Sequence, residues 1–329
     1  MDAEPGALIL RTADLLAAGW TKESIRRAVR RGALVRIRRG QYCPAAFWDA
    51  LDARARHVIL ATAVAEDVED AIIAGRSAAA LWGMPGEQWP DDILLLSPYR
   101  GGGKSEPGVR RTCVGAAGAP VVIRNGLRVT TLARTVVDIA ATEGFVTGVA
   151  AADWALRHGV ERSELRDVLR LRSSSYGRAV AASVIEFADE GAENGGESTV
   201  RAVIFELGFE TPETQFVVRD RLGEMRVDFS WLRADGVRVF GELDGKQKYT
   251  RYEFTDGDPA EVVWREKKRE DRLRVTGSPV VRILWAHLRD LPTLVALLSE
   301  AGVPRRSGAR LDPRGSGSNR ARLQPSRQK

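Results

Sequence analysis

Two alternating runs, MRVDFSW at 225–231 and VRVFGELD at 237–244, flank the triplet Ala234-Asp235-Gly236 and constrain this chain more than any other feature. An Asp-Gly pair between two such runs signals a β-hairpin. A loop of those three residues sets the register and places Asp228 opposite Glu242, with Cβ atoms about 5 Å apart. The two-residue period of a strand puts Glu242 and Asp244 on one face. Three carboxylates are therefore expected on one patch, a crowding that a cation or a proton must offset. Mg²⁺ or Mn²⁺ is the expected cofactor, with Asp228 and Glu242 as ligands, since Mg²⁺ takes one or two carboxylates plus water and phosphate oxygens. Lys246 and Lys248 follow directly, and Lys246 is expected to contact a phosphate or steady transition-state charge. A single acid on a strand is ordinarily solvated surface. The pattern Asp, thirteen intervening residues, then Glu-x-Asp-Gly-Lys is more specific.

The flanks complete an order. ESTVRAVIFEL at 197–207 has apolar Val200, Val203, Ile204 and Leu207 at helical spacing, with Gly208 as its stop. TQFVV reads as a strand, PAEVVWREKKREDRL at 259–273 as a helix ending near Gly277, and PVVRILW as a buried strand. The result is α-β-β-β-α-β, helices on the faces of a small mixed sheet. GES at 196–198, RVDFSW at 226–231, GELDGKQKY at 241–249, EKKRED at 266–271 and VVRILW at 280–285 resemble the PD-(D/E)XK nuclease superfamily, near its very-short-patch repair endonucleases. The resemblance implies metal binding by Asp228 and Glu242, assisted by Glu197. Where the family has a lysine two residues after the glutamate, this chain has Asp244, and the nearest lysine is Lys246. Glu197, Asp228, Glu242, Asp244 and Lys246 thus form the candidate catalytic set.

A second signal lies near the N-terminus. Leu8–Ala17 reads as a short helix and Ala18-Gly19 as a turn. Thr21 caps a second helix, TKESIRRAVRRG, which Gly32 stops. ALVRIRRGQYC then alternates about Arg39-Gly40 as a short hairpin. Helix, turn, helix and β-wing describe a winged helix-turn-helix. Lys22, Arg26, Arg27, Arg30, Arg31, Arg36, Arg38 and Arg39 stand against one acid, Glu23. With Ile25 and Val29 turned inward, these cations are the candidate contacts to double-stranded DNA. DLLAAGWTKESIRRAVRRGALVRIRRGQY, the helix IIAGRSAAALWGMP and GLRVTTLARTVVDIA resemble the N-terminal region of AbiEi-type antitoxins, over residues 8–145. That resemblance implies promoter binding and a cognate toxin protein as partner.

The expected domains are a winged helix at 1–50, an α/β connector at 51–145, a helical layer at 146–194, the nuclease-like module at 195–303 and a disordered basic tail at 304–329. The tail holds eight Lys+Arg against Asp312, more than the whole chain's net +6, so the rest is near neutral. In the connector, Gly103-Lys104-Ser105 is no phosphate loop, because Pro98 stands where its first glycine belongs and Pro107-Gly108 interrupt the helix that must follow. Asp138 is expected on a helix surface or in a cap. Cys43 and Cys113 suit a reducing compartment, and no run reaches the length of a membrane span. A cytoplasmic chain of mixed α/β class is expected. Two functions remain open: a metal-dependent endonuclease hydrolysing DNA phosphodiester bonds in phage defence or repair, and an AbiEi-like transcriptional regulator or antitoxin whose nuclease fold is inactive.

Overall fold

The computed structural model describes residues 5–86, 88–97, 106–113, 118–244, 272–273 and 277–307. They fall in two compact units, 1–190 and 191–329. Lys246, Lys248, the 103–105 triplet, most of the helix expected at 259–273 and the tail beyond Ser307 lie outside the described residues.

The first unit opens with a 3-10 turn at Pro5–Leu8, β1 (Leu10–Arg11) and α1 (Thr12–Ala17). One helix was expected from Leu8 to Ala17. It is interrupted because Leu10 and Arg11 pair with Tyr42 and Gln41, and a two-residue strand leaves no periodicity to read. α2 (Lys22–Arg30) follows, then the hairpin of β2 (Leu34–Arg38) and β3 (Gln41–Pro44). Together they make an antiparallel sheet of order β1-β3-β2. Leu15, Ile25 and Leu34 meet beneath it with Leu10, Val29 and Tyr42. After α3 (Ala45–Ala50), the long α4 (Ala53–Asp67) starts on an Asp52 cap. Its Ile59 and Ala63 pack with Ile9, Ile37 and Trp48, which fastens the N-terminal elements to it.

Next come β4 (Ile72–Ile73), α5 (Gly75–Trp82), β5 (Ile93–Leu96), β6 (Val109–Thr112), β7 (Val121–Arg124) and β8 (Leu127–Thr130). The strands form a mixed sheet of order β6-β5-β4-β8-β7. The helix expected near Arg76–Trp82 is α5, and Ile72 and Ile73 ahead of it are taken up between β5 and β8. The Asn125-Gly126 turn joins β7 and β8 with both φ angles positive, the geometry a two-residue hairpin favours.

Thr131 caps α6 (Leu132–Glu143), which packs with α7 (Phe145–Arg157), α8 (Arg162–Leu171) and α9 (Arg178–Phe187). Asp138 corrects its expected role. It is buried between two buried arginines, accepting from Arg134 Nε at 2.7 Å and Arg172 Nε at 3.2 Å. Arg172 also donates to the Ser174 and Tyr176 carbonyls. The aspartate therefore links α6 to the end of α8. Burial raises the Asp138 carboxyl, and the two guanidiniums oppose that rise.

The second unit runs α10 (Gly195–Glu206), β9 (Glu213–Asp220), β10 (Gly223–Leu232), β11 (Arg238–Asp244), β12 (Val280–Leu284) and α11 (Leu291–Glu300). Its sheet has order β12-β11-β10-β9, parallel only between β11 and β12. Val200, Ile204, Phe229, Trp231, Leu294 and Leu298 belong to one core. Val218, Met225, Val227, Phe240 and Leu273 form a second. The tail boundary expected at 304 is too early. The Glu210 N–H donates to the Pro304 carbonyl at 2.8 Å, and the Arg306 N–H to that of Gly208 at 3.0 Å. The Arg305 guanidinium lies 4.1 Å from the Phe209 ring centroid and that of Arg306 3.7 Å from Phe205. Pro304–Arg306 therefore belong to this fold.

Candidate nucleic-acid interface and acidic cluster

α2 is set by its cap. Thr21 Oγ1 accepts the Ser24 N–H at 3.0 Å, while Ser24 Oγ accepts the Thr21 N–H at 2.9 Å, a reciprocal pair that satisfies two helix-end donors. Ile25 is the buried anchor, and Lys22, Arg26, Arg27, Arg30 and Arg31 are exposed. Arg36 and Arg39 on the β2–β3 hairpin are exposed as well. Gly40 turns that hairpin with φ 79°, and its carbonyl accepts both the N–H (2.8 Å) and the Oγ1 hydroxyl (3.1 Å) of Thr12. The hairpin tip is thus tied to the start of α1.

Three of the candidate cations are engaged by acids. Arg30 reaches Glu23 at 2.8 Å, holding that carboxyl below its usual range, with Arg26 at 3.9 Å. Arg38 differs more sharply. Its side chain is only 14% exposed and lies between Asp67 (3.5 Å) and Glu106 (3.6 Å). Glu106 also meets Arg111, and Gln41 Nε2 donates to Asp67 at 3.2 Å. Arg38 is therefore part of a charged seam under the hairpin, apart from the exposed patch. Spacing alone gave no warning, since the two acids lie far along the chain.

In the second unit the hairpin register is the one expected. Phe229 pairs with Gly241 and Trp231 with Val239, and the Arg233 N–H donates to the Val237 carbonyl across the three-residue loop. Gly236 closes that loop at φ 82°. Asp228 and Glu242 fall one rung beyond the last paired residues. The ladder changes there: its alternation makes Val227 the next acceptor for the Leu243 N–H, and Asp228 Oδ2 accepts that proton instead, at 2.8 Å. Met225 and Val227 pack in one core, Phe229 and Trp231 in the other, so β10 changes face at Asp228. Opposite, Gln215 takes a left-handed φ of 51°. Simple alternation, from which three acids on one patch were expected, breaks at this point.

Glu197 lies in the first turn of α10, which the Asn194 side chain caps. It is 2% exposed. Its Oε1 accepts from Asn194 Nδ2 (2.6 Å), and its Oε2 from the Glu193 N–H (2.8 Å) and Gln215 Nε2 (3.0 Å). Burial raises the Glu197 carboxyl, the Glu193 N–H and Gln215 lower it, and nearby Asp228 raises it further. A Cβ on Gly196 would meet Leu243 at 3.0 Å and Trp285 at 3.1 Å, so a glycine lets this helix end approach β11 closely. Among the described residues no group of three His, Cys, Asp or Glu side chains is arranged to hold a metal. Glu197 has its oxygens occupied and Asp228 one of two, so the donor set fits at most a two-carboxylate site of Asp228 and Glu242. Asn194 and Gln215 are participants that the sequence reading missed. Asn before Gly-Gly-Glu carried a capping signal, whereas Gln215 carried none.

The first unit's N-terminal elements coincide with a family match. Residues 8–45 fit the model of the AbiEi antitoxin transcriptional regulators. Over 281 residues the chain is 30% identical to the uncharacterized protein MT2308 of Mycobacterium tuberculosis strain CDC 1551, covering 84% of this chain and 94% of that protein. The uncharacterized protein Rv2248 of strain H37Rv matches to the same extent. The chain belongs to the family of these mycobacterial proteins. A crystal structure of the RV2827C protein from M. tuberculosis is also similar, at 18% identity over 65% of this chain and 84% of that one, with a TM-score of 0.38. Among the described residues no helix is long and apolar enough to cross a membrane.

Proposed function

We propose that the chain is a duplex-DNA-binding protein of the transcriptional-regulator or antitoxin kind, with a cognate toxin protein as its partner. In this reading the first elements are a winged helix-turn-helix. α2 enters the major groove, and the β2–β3 wing lies along the adjacent backbone. The observation that carries it is the exposed basic surface of Lys22, Arg26, Arg27, Arg30, Arg31, Arg36 and Arg39, on a helix and hairpin whose opposite side packs through Ile25, Val29 and Leu34. Phosphate contacts from such residues give affinity, and arginine forks on guanine edges give sequence preference. The match to AbiEi regulators supports the same reading. Selection of bound duplexes from a randomised pool tests it. An enriched motif is expected, and a pool that stays random after repeated rounds contradicts it.

A second reading concerns the PD-(D/E)XK-like module. The hairpin register, which sets Asp228 and Glu242 opposite each other one rung beyond the Phe229–Gly241 pair, and the proximity of Asp228 to Glu197 favour a Mg²⁺ or Mn²⁺ site there. Asp228 and Glu242 would hold the ion. Glu197, locked by three donors, would position Gln215 and the α10 terminus. When bound, a divalent ion supplies Lewis acidity toward a phosphodiester and a more acidic water. Mg²⁺ is then expected to raise the melting temperature, because a ligand of the folded state alone stabilises it. Asp228→Asn keeps an acceptor for the Leu243 N–H and removes the charge, so it is expected to stabilise the metal-free protein and abolish the Mg²⁺ shift. Nicking of DNA by wild type and not by that variant would favour an endonuclease, and a Mg²⁺ shift without nicking an inactive, DNA-holding module. Identical behaviour of both proteins with and without Mg²⁺ sinks the metal site.

A further inference from the structure

We infer that the tip of the β9–β10 hairpin is a second duplex-DNA contact, which wedges Leu222 between stacked bases. β9 and β10 pair until Asp220 meets Gly223, so Arg221 and Leu222 alone make the turn. Both are exposed, Leu222 to 71%. A lone surface leucine is ordinary and by itself means nothing. Three features set this one apart.

It sits at the extreme of a two-stranded ribbon, a shape that fits a DNA groove. Its turn is held rigid. The Leu222 N–H donates to Asp220 Oδ1 at 2.7 Å, and Arg272 grips both oxygens of Asp220 at 2.8 and 2.6 Å and reaches the Gly223 carbonyl at 3.2 Å. A locked turn loses little conformational freedom on binding, which favours a side chain that must enter a narrow gap. The charge around the tip is also positive. Arg272 offsets Asp220, and Arg219 meets Glu224 at 2.8 Å. Arg221 makes no hydrogen bond or ion pair among the described residues, and Arg226 is exposed on β10. An apolar wedge flanked by guanidiniums is the chemistry by which proteins unstack a base step while holding its phosphates. The inference rests on the reading that the chain binds duplex DNA, and it adds a contact in the second unit.

The experiment uses the full chain and a duplex carrying 2-aminopurine at a pyrimidine–purine step, where unstacking is easiest. Binding is followed separately by the anisotropy of an end-labelled copy. At saturation wild type is expected to raise the 2-aminopurine emission. Leu222→Ala is expected to remain bound and lose that rise, and Leu222→Phe to keep it. An undiminished rise with Leu222→Ala overturns the wedge, as does a bound wild type that gives no rise. Should wild type fail to bind any duplex, the DNA-binding reading falls first and the wedge with it.

Discussion

Arg30 and Arg38 belong to one basic run, yet their surroundings give them different tasks. Arg30 is exposed and meets only Glu23, an exposed pair of the sort that contributes little to stability. Arg38 lies mostly covered between Asp67 and Glu106. Arg38→Ala is therefore expected to lower the melting temperature and leave the salt dependence of DNA binding nearly unchanged. Arg27→Ala is expected to do the reverse, flattening the slope by about one unit per lost phosphate contact. Thermal melts and anisotropy titrations on the two variants check this. His57 gives a residue-scale prediction about pH. Its Nε2 lies 3.0 Å from the Ser77 hydroxyl, whose oxygen also accepts the Leu94 N–H. Burial pushes the imidazole down to about 4, against a hydrogen bond to the Pro90 backbone that raises it. A depressed histidine leaves stability whole above its unfolded value of about 6.5 and loses it as pH falls through the interval down to the folded value. The loss is about 1.4 kcal/mol per pH unit, to roughly 3 kcal/mol. Urea unfolding between pH 7 and pH 4.5 is expected to show this decline in wild type and a flatter profile in His57→Asn. Parallel profiles would refute it.

At the scale of elements, the segment after α11 is where composition misled. Pro304–Arg306 read as the start of a basic tail, but the two arginines stack on Phe209 and Phe205 and their backbone pairs with residues 208–210. Truncation after Val303 is expected to lower the melting temperature by several degrees, and truncation after Ser307 by much less, since only the first removes these contacts. Equal losses from both truncations would contradict it. The β10–β11 hairpin was legible because an Asp-Gly turn and alternating runs specify a register locally. β1 and β4 were not, since two-residue strands exist only through the partners that pair with them. Asp138 escaped for a related reason: one of its two arginines lies 34 residues away, beyond any local pattern. At the acidic cluster, register was readable and facing was not. The change of face at Asp228 coincides with Gln215 opposite it, a glutamine in a left-handed conformation that no sequence rule anticipates.

For the whole molecule, the distribution of charge matters more than its total. The net charge is +6, and seven of the cations that face outward in the first unit, Lys22, Arg26, Arg27, Arg30, Arg31, Arg36 and Arg39, gather on or just after α2 and on the β2–β3 hairpin. Such a patch attracts a polyanion over about a Debye length and must lose affinity as salt rises. The most direct measurement is the affinity of the full chain for a mixed-sequence duplex across a series of salt concentrations, compared with a variant carrying Arg27→Ala, Arg30→Ala and Arg36→Ala. Wild type is expected to bind with a steep negative slope of log affinity against log salt. The variant is expected to bind more weakly with a slope shallower by roughly three units, one for each contact. Equal affinity and equal slope for the two proteins would contradict a DNA interface on α2 and the β2–β3 hairpin.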